Sequence, residues 1–179
     1  MQNKIGFNLL VWSAVVSDDM LPIMERLKTI GYDGIECSMG SDDPAAYKRI
    51  GEQAKDLGLE INPCLALGAE HNPVSDSAAV RQKAVDQLKW AIDRAFDMGS
   101  TVMCGPFHSA FATFTQKTPQ PVEYERSAEV LREAGDYAAQ GNVMLALEAI
   151  NRFECYLCNT MEQLTGLVKL TAHPQVQAM

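Results

Sequence analysis

Nothing in this sequence approaches the ~20 consecutive apolar residues that a membrane-crossing helix needs, so such a helix is not expected. The stretch most like a secretory leader is residues 5–16, behind Lys4. It carries Asn8 and Ser13 and lacks a small-residue cleavage pattern, so it reads as an inner strand. Cysteine is unpatterned: five residues, an odd count with no disulfide spacing, which points to reduced thiols and a cytoplasmic protein. Positive charge is in deficit. Fifteen Lys and Arg stand against 23 Asp and Glu, for a net charge of −8. That balance argues against a nucleic-acid partner and suits a cation in the site. The first strand is not followed by G-x-G-x-x-G, which removes the usual signature of a dinucleotide-binding sheet.

What the chain does have is a repeated alternation. Strand segments are expected at residues 5–12, 34–37, 60–67, 101–104 and 143–147, and residues 176–179 can begin a sixth. Helices lie between them. Met20, Met24 and Leu27 share one face of the first. Asp43 caps the second with Pro44 at its first position, and Tyr47, Ile50, Ala54 and Leu57 give it 3–4 spacing. The third is the longest, with a stripe of Val80, Ala84, Leu88, Ile92 and Phe96. The fourth carries Ser127, Leu131, Ala134 and Ala138, and Asn159-Thr160-Met161-Glu162 resembles a capping box opening the fifth. Each of the first four helices ends on a glycine (Gly31, Gly58, Gly99, Gly141), followed within a few residues by strand.

Alternating β and α predicts parallel strands with right-handed crossovers. Two architectures satisfy that order: an open doubly wound sheet and a (β/α)8 TIM barrel. The strand-to-helix loops are long and chemically rich, while the helix-to-strand turns are short. This asymmetry favours the barrel, whose active site sits on the strand-to-helix loops. A barrel needs ~250 residues. The α/β class is therefore read as a single domain, residues 1–179, holding about five βα units and the start of strand six of a truncated barrel.

One stretch organises the chemistry. Residues 143–147 are apolar and end on Glu148, before a polar and aromatic loop. A lone carboxylate closing a buried strand is costly unless it is paired, hydrogen-bonded or on a metal. Glu148 is the leading candidate for a functional group.

Three blocks carry a resemblance: Gly31-Tyr32-Asp33-Gly34-Ile35-Glu36, Leu147-Glu148-Ala149-Ile150-Asn151-Arg152-Phe153-Glu154 and Leu157-Cys158-Asn159. Together they are similar to ketose 3-epimerases of the D-tagatose/D-psicose (allulose) type, in the xylose isomerase-like barrel superfamily of sugar isomerases and epimerases. The resemblance implies a divalent metal, Mn²⁺ first with Co²⁺ or Mg²⁺ as relatives, held by a Glu, an Asp, a His and a second Glu on strands five to eight. Glu148 matches the first ligand and one of two carboxylates that move a proton at C3 through a cis-enediolate. Glu154 matches a carboxylate that contacts the O1/O2 end of the sugar. The substrate implied is a small-molecule ketose, and the full-length parent is expected to be a homo-oligomer. The Asp, His and second Glu would lie beyond Met179, so this chain alone is expected to be inactive. The alternatives are a catalytically dead fragment or binding module, and another superfamily activity such as an inosose or hydroxypyruvate isomerase or dehydratase.

Other residues are weighed beside these. Trp12 is expected to line the pocket or pack the barrel mouth. His108, in Gly105-Pro106-Phe107-His108-Ser109, follows the fourth strand on the active-site side and is a candidate substrate contact. Glu36 ends a strand and reads as a supporting anchor. Arg152 could pair with either Glu148 or Glu154. Cys155-Tyr156-Leu157-Cys158 is a lone C-x-x-C, too little for zinc without two further ligands. Cys64 and Cys104 read as small buried hydrophobes.

Overall fold

The computed structural model describes residues 3–179. Among them, strands and helices alternate as β1 (Gly6–Asn8), α1 (Leu21–Ile30), β2 (Gly34–Ser38), α2 (Pro44–Leu57), β3 (Glu60–Cys64), α3 (Ala78–Asp97), β4 (Val102–Gly105), α4 (Pro121–Gln140), β5 (Met144–Leu147), α5 (Met161–Thr171) and β6 (Val176–Ala178). Every strand pair is parallel, and the spatial order is β1-β2-β3-β4-β5-β6. A doubly wound sheet would reverse its order at a switch point. An unbroken run of sequential neighbours is the wall of a barrel instead, as expected from the loop asymmetry.

The strands divide their residues by a period of two. Ile35, Cys37, Ile61, Met103, Leu145 and Leu147 are buried in one apolar core. That core continues through Tyr47 and Ile50 of α2, Leu88 and Ile92 of α3, Leu131 of α4 and Leu164 of α5. The alternate positions, among them Glu36, Asn62, Cys64, Cys104 and Ala146, belong to the opposite, inner face of the sheet.

The ends of the helices follow from local chemistry. The Asp43 carboxylate accepts a hydrogen bond from the Ala45 amide at 3.0 Å, with Pro44 opening α2. Gly31, Gly58 and Gly99 take the left-handed conformation at φ +111°, +65° and +74°. After α4 the left-handed residue is Asn142 (φ +53°), with Gly141 at φ −99°. The fourth turn therefore uses asparagine for the job that glycine does in the others. The α5 capping box joins Thr160 to Gln163, one residue on from the pattern expected at Glu162.

Three expectations need correction. The first strand is short, because the Asn8 carboxamide accepts from the Leu10 amide at 2.8 Å and turns residues 9–11 into a 3-10 turn. β3 ends at Cys64; beyond it the Leu65 amide still donates to the Cys104 carbonyl at 2.9 Å, and an isolated bridge joins Leu67 to Ala110. On α3, Phe96 is 63% exposed while Ala95 is fully buried. Steps of four overshoot a 3.6-residue turn by about 40°, so a stripe drawn only from such steps rotates off the core within a few turns.

Tyr47 is the largest fully buried side chain of α2, and its hydroxyl is paired on both sides. It accepts from the Ser41 amide at 2.9 Å and donates to the Ser41 carbonyl at 3.0 Å. This ties the β2–α2 loop to the helix. Tyr47→Phe keeps the packing and leaves both main-chain groups without a partner. The expected loss is about 2 kcal/mol in urea unfolding, the cost of a buried polar group left unsatisfied.

Candidate active site

The C-terminal ends of five adjacent strands bring polar side chains into one belt. Asn8 of β1 donates from Nδ2 to Glu36 Oε1 of β2 at 2.6 Å. Cys104 of β4 donates its thiol proton to Glu36 Oε2 at 3.3 Å, and its Sγ lies 3.5 Å from the Pro63 carbonyl. Cys64 of β3 is the register partner of Cys104. Glu148 follows β5 directly, its amide donating to the Gly105 carbonyl at 3.0 Å. That bond extends the β4–β5 ladder by one step and fixes where the Glu148 side chain departs.

Glu148 is half-buried. Its carboxyl is held above the usual carboxylate range, first by burial, then by the negative charges of Glu36 and Glu154. Among the described residues no ion pair involves Glu148. A half-buried carboxylate without an ion-pair partner among the described residues is an oxygen donor suited to a hard divalent ion. The donor chemistry therefore fits the divalent metal that the resemblance implies, with Glu148 as the group that would hold it.

Glu154 is exposed on the loop after β5. Its carboxylate accepts from the Asn151 carboxamide, and its main-chain carbonyl accepts from the Ala112 amide at 2.8 Å. The loop is further held by Asn159, whose Nδ2 donates to the carbonyls of Ile150 and Cys155 at 3.0 and 2.8 Å. Arg152 lies over the Phe153 ring at 5.4 Å, and no ion pair joins it to Glu148 or Glu154 among the described residues. Trp12 is 51% exposed and packs against Phe7 at 5.0 Å between ring centroids. It lines an apolar cavity of about 540 Å³ with Pro22, Leu27 and Ile30 of the first helical segment, so its described contacts lead towards α1 and not towards Glu148.

His108 departs most from expectation. It is fully buried, with Nε2 3.1 Å from the Glu148 carbonyl. A carbonyl only accepts, so Nε2 carries the proton. The Cys155 thiol lies 3.8 Å from the ring nitrogens, and the Ser127 hydroxyl donates to the His108 carbonyl at 2.7 Å. A side chain without exposed surface offers nothing to a sugar in this arrangement. It supports the main chain that carries Glu148. Burial pushes the imidazole down to about 4 from the ordinary 6.5, partly offset by the bond to Glu148. The folded form prefers neutral His108, so unfolding takes up a proton between those values. Stability is therefore expected to fall as pH drops from 6.5 towards 4 and to level off below, by about 3 kcal/mol in all. Urea unfolding across that window checks it, and His108→Gln, which can still donate to the carbonyl, flattens the profile.

The C-x-x-C is not a reactive pair. Cys155 and Cys158 are buried and free, and burial pushes the Cys158 thiol up to about 12. The more informative thiols are Cys64 and Cys104, expected to be inert. With Glu36 they form the group of metal-capable side chains found among the described residues. The alternation Glu60-Ile61-Asn62-Pro63-Cys64 already placed Cys64 and Asn62 on one face. It said nothing of what the next strand would bring against them.

Residues 24–179 match a family model described as xylose isomerase-like TIM barrel. Among curated proteins the chain is 26% identical over 174 residues to the L-ribulose 3-epimerase of Mesorhizobium japonicum, covering 97% of this chain and 58% of that one. It is 24% identical over 180 residues to the D-psicose 3-epimerase of Agrobacterium fabrum, covering 98% and 62%. The chain thus spans about three fifths of the length of the curated relatives it matches. A solved structure of an L-ribulose 3-epimerase superposes with a TM-score of 0.87 at 26% identity, over 99% of this chain and 60% of that one. A D-psicose 3-epimerase from Clostridium cellulolyticum, solved with D-tagatose, shares the fold at a TM-score of 0.86 and 24% identity, over 99% and 63%.

Proposed function

Because the chain belongs to the xylose isomerase-like TIM barrel family, we propose that it supplies the proton-transferring wall of a metal-dependent ketose 3-epimerase. The observation that carries this reading is the position of Glu148: at the end of β5, half-buried, facing the charges of Glu36 and Glu154, without an ion-pair partner among the described residues. Relatives named as L-ribulose, D-psicose and ketose 3-epimerases support the substrate class.

A proton beside a ketone is removed by a positioned base while the developing oxyanion is stabilised. In this reading Glu148 Oε takes the proton from C3 of the ketose, the electron pair of the C–H bond passes into an enediolate, and C3 is reprotonated on the opposite face by a second acid. Burial and the neighbouring acids raise the affinity of Glu148 for that proton. Glu148 would hold a divalent ion, Mn²⁺ in our reading with Co²⁺ or Mg²⁺ as substitutes, which would supply Lewis acidity at the site. Glu154, placed by Asn151 and the Ala112 amide, accepts from hydroxyls at the O1/O2 end of the sugar. Exposed Phe111, Phe114 and Phe153 on the strand-to-helix side are available as apolar faces for the ring or chain of the sugar. The five free cysteines suit a reducing compartment, the cytoplasm.

The test is a chimera in which this chain replaces the matching three fifths of the Mesorhizobium japonicum L-ribulose 3-epimerase. Incubated with Mn²⁺ and ketoses, it is expected to give the C3 epimers and to lose the activity on chelation. A folded, Mn²⁺-binding chimera that makes no C3 epimer from any ketose tried would overturn the assignment.

A further inference from the structure

The inner face of the sheet holds a second group of donors, distinct in chemistry from Glu148. Glu36, Cys64 and Cys104 come from three adjacent strands, β2, β3 and β4, and their ligand atoms all lie within 4.8 Å of one another. We propose that these three residues form a binding site for one thiophilic divalent cation of the Zn²⁺ class, independent of the Glu148 centre and of the epimerase reading.

Two thiolates and a carboxylate are the donor set that selects zinc over magnesium or manganese. The spacing suits a tetrahedral ion. Bonds of about 2.3 Å to sulfur and about 2.1 Å to oxygen put neighbouring sulfur and oxygen ligands about 3.6 Å apart, and two sulfurs about 3.8 Å apart. Cys104 Sγ and Glu36 Oε2 already stand 3.3 Å apart.

The site is preassembled on its outer side. Asn8 holds Glu36 Oε1 at 2.6 Å, which leaves Oε2 as the free ligand oxygen and fixes its direction. Cys64 and Cys104 are register partners, so the strand ladder itself sets their separation. A bound cation takes the place of the thiol proton that now lies between Cys104 and Glu36, and both thiols give their protons to solvent. The charge of the filled site is then −1, from two thiolates, one carboxylate and the divalent ion.

Three protein ligands leave a fourth position open, the pattern of zinc sites that bind water or a small ligand. Glu36, Asn8 and Asn62 also line a cavity of about 270 Å³ on the inner face. Cys64 is partly exposed, while Cys104 is buried at 3% exposure. The cluster therefore has one covered and one open side.

The probe is Cd²⁺ titrated into the metal-free, reduced 179-residue chain, read by the ultraviolet thiolate-to-metal charge-transfer band and by elemental analysis after dialysis. One tightly bound ion per chain is expected, retained against excess Mn²⁺, with the band unchanged in Glu148→Gln. Cys64→Ser and Cys104→Ala each remove most of the band. Glu36→Gln weakens binding by about tenfold or more, as loss of an orienting partner already does at other metal sites. Each variant is first checked for its fold by circular dichroism without metal. Should Cys104→Ala fail that check, the partly exposed Cys64→Ser carries the test, through loss of both the band and the thermal stabilisation that Cd²⁺ gives the parent chain. Absence of a band in the parent chain, a band that survives Cys64→Ser, or one lost instead in Cys155→Ser would overturn the proposal.

Discussion

Replacing Glu148 by glutamine is expected to lower C3 proton exchange in the Mn²⁺-loaded chimera by at least about 10³-fold, within the range general-base catalysis contributes. The substitution keeps the size of the side chain and its main-chain bond to Gly105, so the β4–β5 ladder is undisturbed. What it removes is a negative oxygen. Glutamine cannot accept a proton from C3 at neutral pH, and it is a weak ligand for a hard cation. Two separate functions are lost by one change of charge. Glu154→Gln should behave differently. Its carboxylate is exposed and held by Asn151, and its proposed work is to orient the sugar. The expected signature there is a raised KM with a smaller fall in kcat. Equal losses in the two variants would argue that the loop after β5 acts as a unit and that Glu148 has no special part in the chemistry.

The largest expected effect on the fold comes from a residue with no side chain. Gly105 ends β4 at φ +133°, a conformation that other residues rarely adopt. A Cβ added there would stand 2.2 Å from the Leu65 carbonyl oxygen and 3.1 Å from the Leu65 main-chain carbon and nitrogen. The obstruction is backbone, so no rotamer change relieves it. Relief requires β3 and β4 to separate, which breaks the Leu65 amide to Cys104 carbonyl bond of 2.9 Å, or Gly105 to reorient, which moves the carbonyl that receives the Glu148 amide. Strain and overpacking each cost about 1–3 kcal/mol, so Gly105→Ala should lose about 3–5 kcal/mol. That is a large share of the stability of an ordinary domain. Gly141→Ala is the control: its φ is −99° and the nearest atom to an added Cβ is 3.5 Å away. Urea unfolding of the two variants should separate a severe loss from a near-neutral change. Comparable midpoints would show that the β3–β4 contact can open without cost.

The barrel wall was legible because its signals are local. Asp43-Pro44 opens a helix by capping and proline geometry, and glycine ends one by its freedom at positive φ. Glu148 was legible for a related reason: an apolar run that ends on an acid is unusual wherever it occurs. What could not be read is which strand ends face one another. Cys64 and Cys104 are 40 residues apart and meet only because β3 and β4 pair in one register. Each thiol, taken alone, looks like a small hydrophobe. His108 failed in the opposite direction. Its place after a strand, on the loop side, suggested exposure, yet Ser127 from α4 and Cys155 from the next loop close over it. Sequence position gives the side of the barrel. Burial depends on residues far along the chain.

The central claim is that Glu148 moves a proton at C3 of a ketose. Its most direct test is deuterium incorporation from D2O, followed by NMR, in the Mn²⁺-loaded chimera with D-psicose or L-ribulose. Label is predicted at C3 of both epimers and nowhere else, and it is predicted to vanish in Glu148→Gln. Label at C1, or none at C3 from a folded and metal-loaded protein, would contradict it.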